Sequence, residues 1–180
     1  PDLFVDSVMV YDKVTTKSLN LTLFLEGLYN GTGMNEAYDD MGSHWGAGIA
    51  DQITVELRNS SVPSIVEATY TGQNLSTTGL CTVTVPGGLA DSYYVVIKHR
   101  NSVTTWSALP LSFSSSTVSY DFTVASSDPL LINNAYGDNL IQVAPGVFAI
   151  YVGDVNADGL VDGSDMSDTE TENNNFTIGY

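Results

Sequence analysis

The 180 residues carry 21 acids against 5 Lys or Arg, a formal net charge of −16, with 43% apolar and only 14% charged residues. That balance excludes nucleic acid as a partner, since the phosphate backbone is held by Lys and Arg, and it argues equally against a bare anionic membrane surface. The length fits one domain of ordinary size with an appendage, and the apolar fraction is enough for a sizeable core.

The composition is rich in Ser, Thr, Asn and Gly and poor in Lys, as in extracellular β proteins. One cysteine, Cys81, precludes an intrachain disulfide. Within Leu-Cys-Thr-Val-Thr-Val it reads as a buried, inert thiol. The sequence begins at Pro1, with no signal-peptide pattern and no apolar run long enough to span a bilayer. That start suits a processed, secreted protein. N-x-Ser/Thr sites occur at Asn20, Asn30, Asn59, Asn74 and Asn175.

In chain order, short runs of Val, Ile, Thr, Tyr and Phe alternate with Gly, Asn, Pro and Ser, the pattern of a β protein. Leu3 to Tyr11 is apolar on both faces: Leu3, Val5, Met9 and Tyr11 point one way, Phe4, Val8 and Val10 the other. Such a strand wants the inside of a sheet, either as the first strand of its own sandwich or donated into a neighbouring subunit, and 12–18 follows it as a polar tether. Leu19–Glu26 alternates cleanly and predicts a half-buried strand. The segment Gly27–Ala50 is long, irregular and rich in glycine. It is either a functional loop or an excursion packed by its own Tyr29, Tyr38 and Trp45. Gln52–Arg58 predicts a strand with Ile53, Val55 and Leu57 on one face. Further strands are expected at Ser64–Tyr70, Cys81–Val85, Tyr93–Arg100, Leu109–Phe113, Val118–Val124, Asn139–Val143 and Gly146–Val152. Eight to ten strands with frequent turn signals imply an all-β antiparallel sandwich of Greek-key, jelly-roll or Ig-like type. One helix is expected, from Gly163 to about Asn173.

The most specific chemistry lies just ahead of that helix. Residues 154–165 read Asp-Val-Asn-Ala-Asp-Gly-Leu-Val-Asp-Gly-Ser-Asp. Oxygen-bearing side chains stand at positions 1, 3, 5, 9 and 12, with glycine at 6, which is the ligand schedule of an EF-hand calcium loop. Asp154, Asn156 and Asp158 converge from alternate positions, and Gly159 permits the bend. Leu160 offers its backbone carbonyl, Asp162 binds directly or through water, and Asp165 closes the shell. Position 12 is Asp rather than the longer Glu. Seven acids and no base lie between Asp154 and Glu172, a cluster that Ca2+ would partly neutralise. A strand-like run, Val147 to Val152, enters the loop where a true EF-hand has a helix.

Five stretches carry a family resemblance: Leu19-Asn-Leu-Thr-Leu-Phe-Leu-Glu-Gly, Ile53-Thr-Val-Glu-Leu-Arg-Asn, Tyr93-Tyr-Val-Val-Ile-Lys-His-Arg-Asn, Trp106-Ser-Ala-Leu-Pro-Leu and Tyr120-Asp-Phe-Thr. They resemble a β domain of large secreted Bacteroidetes surface proteins, exported by the type IX route and followed by paired dockerin-like calcium loops. The resemblance implies a secreted or cell-surface calcium-binding β module and no particular catalytic activity. It also implies a second Asp-rich loop, and one such loop occurs in the 180 residues. Asp6-Ser7-Val8 is similar to the short O-glycosylation motif of that group.

Two His and five Lys or Arg supply no matched general base and partner, and no nucleophile elbow, phosphate loop or zinc pattern occurs. The reading is therefore not an enzyme. Lys98 and Arg100 share one face of a strand and His99 the other. They form either a small site for a carboxylate or acidic sugar, or ion pairs with nearby acids. Trp45 and Trp106 could offer sugar-stacking faces or simply fill the core.

The organisation expected is an N-terminal strand and tether at 1–17, a sandwich at 18–152 and a calcium-binding tail at 153–180. The expected function is a secreted structural or adhesive module, a subunit of a filament of its own copies built by donating the N-terminal strand into a neighbour's sheet edge. The alternatives are a carbohydrate-binding module of a larger secreted hydrolase, with glycans as partners, and a dockerin-like partner tag.

Overall fold

A computed structural model of the chain describes residues 15–174. The expected strand at Leu3–Tyr11, the Ser7 motif and Asn175 lie outside the described residues. The rest is mostly β with one helix, as expected.

The first strand, β1 (Thr16–Thr22), buries Leu19 and Leu21 and continues into Leu23 and Leu25, both fully buried. The ladder stops at Thr22 because the chain then turns: Leu25 makes only an isolated parallel bridge to Ile150, and Glu26–Leu28 winds into a single 3-10 turn. The expected strand to Glu26 is therefore shorter. The excursion that follows is not wholly irregular, since β2 (Tyr38–Asp39) and β3 (Gly42–Ser43) form a small hairpin within it. Next come β4 (Ile49–Asn59), β5 (Val66–Ser76), β6 (Leu80–Pro86), β7 (Ser92–His99) and β8 (Ser102–Trp106). The chain continues through β9 (Leu111–Ser112), β10 (Thr117–Asp121), β11 (Ile141–Ala144) and β12 (Val147–Ala149). It reaches the acidic helix α1 (Gly163–Asn174).

Two sheets dominate. One has the order β10-β1-β6, the other β5-β4-β7-β8 with β9 also on β7. Among the named strands pairing is antiparallel except between β1 and β10, which run parallel with Leu19 opposite Val118. An all-antiparallel fold was expected. The parallel pair is possible because the whole of β2 to β9 separates the two strands, far more chain than a parallel crossover requires. Strand β8 was missed because Ser-Val-Thr-Thr-Trp holds one aliphatic residue and follows the Arg-Asn turn directly.

The sheets share one apolar cluster. Leu19, Val83 and Val118 come from the first, and Val55, Leu57, Val95 and Ile97 from the second, with Phe113 and Phe122 fully buried among them. This is a sandwich-like arrangement. Each such side chain contributes about 1.5–3 kcal/mol by leaving water. In β4, Ile53, Val55 and Leu57 all face this core, as the period of two requires. Thr54, Glu56 and Arg58 consequently fall on the outer face.

The route into the acidic loop is fixed on both sides. On one side Ile150 N–H donates to Phe24 O at 2.8 Å, and Glu26 N–H to Ile150 O at 3.0 Å. On the other, Val103 N–H donates to Tyr151 O at 3.0 Å and Gly153 N–H to Asn101 O at 2.7 Å. Residues 150–153 are thus held between the 24–26 segment and the start of β8.

Candidate functional site

The loop begins where that clamp ends. Asp154 is 1% exposed, and its Oδ2 accepts the Gly159 N–H at 3.1 Å. The turn that allows this has Gly159 at φ +89° and Ala157 at φ +59°. A left-handed alanine costs of order 1 kcal/mol and survives only where the surroundings over-determine it. Here Asn156 Oδ1 accepts from Asp158 N–H and Asp158 Oδ1 from Leu160 N–H, both at 2.9 Å, which fixes the turn.

Asp165 closes the loop from the first turn of α1. Its Oδ1 accepts from Val155 N–H at 2.8 Å and Asn156 N–H at 3.3 Å, and its Oδ2 from Asp162 N–H at 2.9 Å. Asp162 caps the helix, accepting both the N–H and the hydroxyl of Ser164 at 2.8 Å. Backbone hydrogen bonding holds the carboxyls of Asp162 and Asp165 below their ordinary range, led by the Ser164 and Asp162 amides respectively. The bonds tie Asp154 to Gly159, and Asp165 to Val155, Asn156 and Asp162, while Asn156, Asp158 and Asp162 each cap an amide two residues ahead.

One atom in this loop is out of balance. Asp154 Oδ1 is fully buried and has no hydrogen-bond partner. A buried carboxylate oxygen left unpaired is costly, and a hydrogen-bond donor, an ordered water or a hard cation satisfies such an oxygen. Among the described residues, no three His, Cys, Asp or Glu side chains are gathered closely enough to hold a metal ion.

A second polar cluster lies inside the body, and sequence reasoning did not anticipate it. Asp51, fully buried in β4, accepts from Trp45 Nε1 at 2.9 Å and Arg100 Nη1 at 2.5 Å. His99 Nε2 faces Asp51 Oδ2 at 3.2 Å, an ion-pair distance off the alignment of a hydrogen bond. His99 Nδ1 lies 2.8 Å from Ser102 Oγ. The order Ser102–His99–Asp51 has the residue types of a nucleophilic triad. Ser102 is only 2% exposed, and the residue forms a backbone bridge to Val152. That burial gives a substrate carbonyl no approach to Oγ, so the cluster ties strands together.

Lys98 faces outward and His99 inward, but Arg100 lies in the turn after β7 and reaches the same buried Asp51 as His99, so the shared face expected for Lys98 and Arg100 does not form. Both bases are ion-paired: Lys98 Nζ to Glu56 Oε1 at 2.6 Å and Arg100 to Asp51. Arg58 Nη2 joins Glu56 Oε2, also at 2.6 Å. Trp106 sits on this outer face beneath the Arg58 guanidinium, 4.9 Å from the ring centroid. It does not fill the core. The N-x-Ser/Thr asparagines within the described residues are tied up locally: Asn59 Oδ1 accepts from Ser61 and Val62 N–H, and Asn20 Oδ1 from Thr82 Oγ1.

No protein-family model, curated protein or solved structure matches the chain.

Proposed function

We propose that the chain is a non-catalytic, extracellular structural or adhesive module: a two-sheet β-sandwich braced at its C-terminal end by one calcium ion. The observation that carries this reading is the buried Asp154 carboxylate with its unpaired Oδ1, at the first ligand position of a loop with EF-hand spacing. Asp154, Asn156, Asp158, the Leu160 carbonyl, Asp162 and Asp165 would hold the ion. Calcium would draw the acidic tail together and fix α1, whose surface is polar all round and has no apolar stripe to bury. A single ion would then bind the tail to the segment clamped against β8. Calorimetric titration of calcium-stripped protein tests this: a saturable heat with one ion per chain is expected. No heat and no gain in melting temperature would discard the reading.

The same reading makes the module a subunit of a head-to-tail filament. Its support is the doubly apolar sequence of residues 2–11 together with the short β10-β1-β6 sheet, in which β10 pairs only with β1 among the described residues. A strand delivered there by a neighbour would extend the sheet through backbone hydrogen bonds. Electron microscopy of the native material and of a chain lacking residues 1–12 tests the assembly. Polymers formed by the truncated chain would rule out strand donation.

A further inference from the structure

We propose that the outer face of the β5-β4-β7-β8 sheet is a binding face for a neutral oligosaccharide, with a stacking subsite at each end. Its first subsite is an apolar groove of about 340 Å³ formed by Pro63, Tyr94, Trp106 and Tyr136. Its second is an open groove of about 360 Å³ that includes Trp45, Gln52, Thr54, Gly72, Lys98 and Arg100.

Register places Tyr94 and Trp106 of the first groove and Thr54 and Lys98 of the second on the outer surface, while Ile53 and His99, which also line the second groove, come from the inner side at the sheet's end. Tyr94, Val96 and Lys98 are successive outward positions of β7, opposite Arg58, Glu56 and Thr54 of β4. Trp106 of β8 is opposite Val96. From Tyr94 to Lys98 the strand advances about 14 Å, the reach of a few linked sugar rings. Both tryptophans of the protein stand here, one in each groove.

The rings are held in place. Trp106 has the Arg58 guanidinium at 4.9 Å from its centroid and Tyr94 edge-on at 6.0 Å. Trp45 is fixed by its Nε1 bond to buried Asp51. Preset aromatic planes bind the C–H faces of pyranose rings with little ordering cost.

Charge selects the ligand. Arg58 and Lys98 lie on this face and Arg100 lines the second groove, yet each is already paired, two on Glu56 and one on Asp51. The remaining chain is strongly anionic and would repel a polyanion. Three cations on two carboxylates leave a local excess of one positive charge within a chain of net charge −16, so the face offers fixed hydrogen-bonding groups and only a weak local field. Of the three donors on the Lys98 ammonium, Glu56 takes one. At Gly72 no side chain closes the floor: a Cβ there would meet only Gln52 Oε1, at 3.5 Å. Hydroxyl-rich, uncharged sugars match this combination. An extended peptide matches it less well, because such a peptide docks along a strand edge and the stacking rings here stand on the face of the sheet.

Tryptophan fluorescence reads the binding directly. Calcium-loaded protein is titrated with cellotetraose, xylotetraose, mannotetraose and chitotetraose, with the corresponding disaccharides, with tetragalacturonate and with a proline-rich decapeptide, at low and high salt. At least one neutral tetrasaccharide should bind, with little salt dependence and more tightly than its disaccharide. Trp106→Ala and Tyr136→Ala should each weaken it by about tenfold or more. Tyr136 is 65% exposed, so its removal leaves the fold intact, and Leu80→Ala on the other sheet should change nothing. Salt-sensitive binding of tetragalacturonate alone, binding of the peptide alone, equal affinity for di- and tetrasaccharides, or no binding at all would each overturn the proposal. Repeating the titration with Asp154→Asn separates the two sites, because sugar binding should persist without the calcium loop.

Discussion

His99 stands between Asp51 and Ser102, with Nε2 3.2 Å from Asp51 Oδ2 and Nδ1 2.8 Å from Ser102 Oγ. Ser102 is in turn bridged to Val152, two residues before Asp154. The buried polar cluster of the sheet and the root of the acidic loop are therefore parts of one connected structure.

Asp51 should be a major stabilising group with a defined pH window. Burial works to raise its pKa, but His99, Arg100 and the Gln52 amide outweigh that and hold the carboxyl well below its usual range. A depressed carboxylate stabilises the fold above its unfolded pKa of about 3.9, and the contribution is lost as pH falls through the folded value. Asp51→Asn should cost about 3 kcal/mol at neutral pH. Urea melts should show the gap between wild type and variant narrowing below about pH 4. A gap that stays constant from neutral to acid pH would refute this assignment.

Asp154→Asn should have opposite effects with and without calcium. In chelator, removing a buried and unpaired carboxylate charge should leave stability unchanged or raise it. With calcium at about a hundred times its dissociation constant, the wild type should gain about 2.7 kcal/mol and the variant almost none. Thermal melts in chelator and in calcium measure both arms. Limited proteolysis should cut within α1 faster in chelator than in calcium.

The Cys81 thiol is pushed up to about 11 by burial. It should resist alkylation by iodoacetamide at neutral pH in the folded protein and react readily once unfolded. Mass spectrometry of native and denatured samples gives the answer, and fast native labelling would contradict the packing described.

Gly79 adopts φ +85°, and a Cβ there would lie 2.7 Å from Phe24 Cε1 and 2.8 Å from Leu23 O. Its carbonyl accepts from Leu23 N–H at 2.9 Å, so the turn before β6 is pressed against the end of β1. Gly79→Ala should destabilise by about 2 kcal/mol. Gly88, whose Cβ would meet nothing within 4 Å, should tolerate alanine. Denaturant midpoints of the two variants compare these sites directly.

Much of the fold could be read along the chain. The alternation in Leu19-Asn-Leu-Thr-Leu and Ile53-Thr-Val-Glu-Leu put the right residues in the core, because burying one face of a strand imposes a period of two. Helix α1 began at the expected residue, Gly163, because Asp162 caps it. Boundaries failed where partners set them. β5 runs on to Ser76 because β4 is there to pair with it, although Gly72 and Gln73 signal a break. β8 was invisible because its stability comes from β7 rather than from its own apolar content.

By itself the sequence determined the β character, the core faces and the ligand spacing of residues 154–165. These depend on short-range periodicity and on the reach of side chains a few residues apart. Only the tertiary structure decided that Lys98, Arg58 and Arg100 share two buried acids, that Trp106 lies outside the core, and that Ser102, His99 and Asp51 meet. Arg58 and Glu56 are near neighbours on β4, but Lys98 reaches Glu56 across 42 positions and Arg100 reaches Asp51 across 49. Their meeting depends on sheet order and register, which no local pattern encodes.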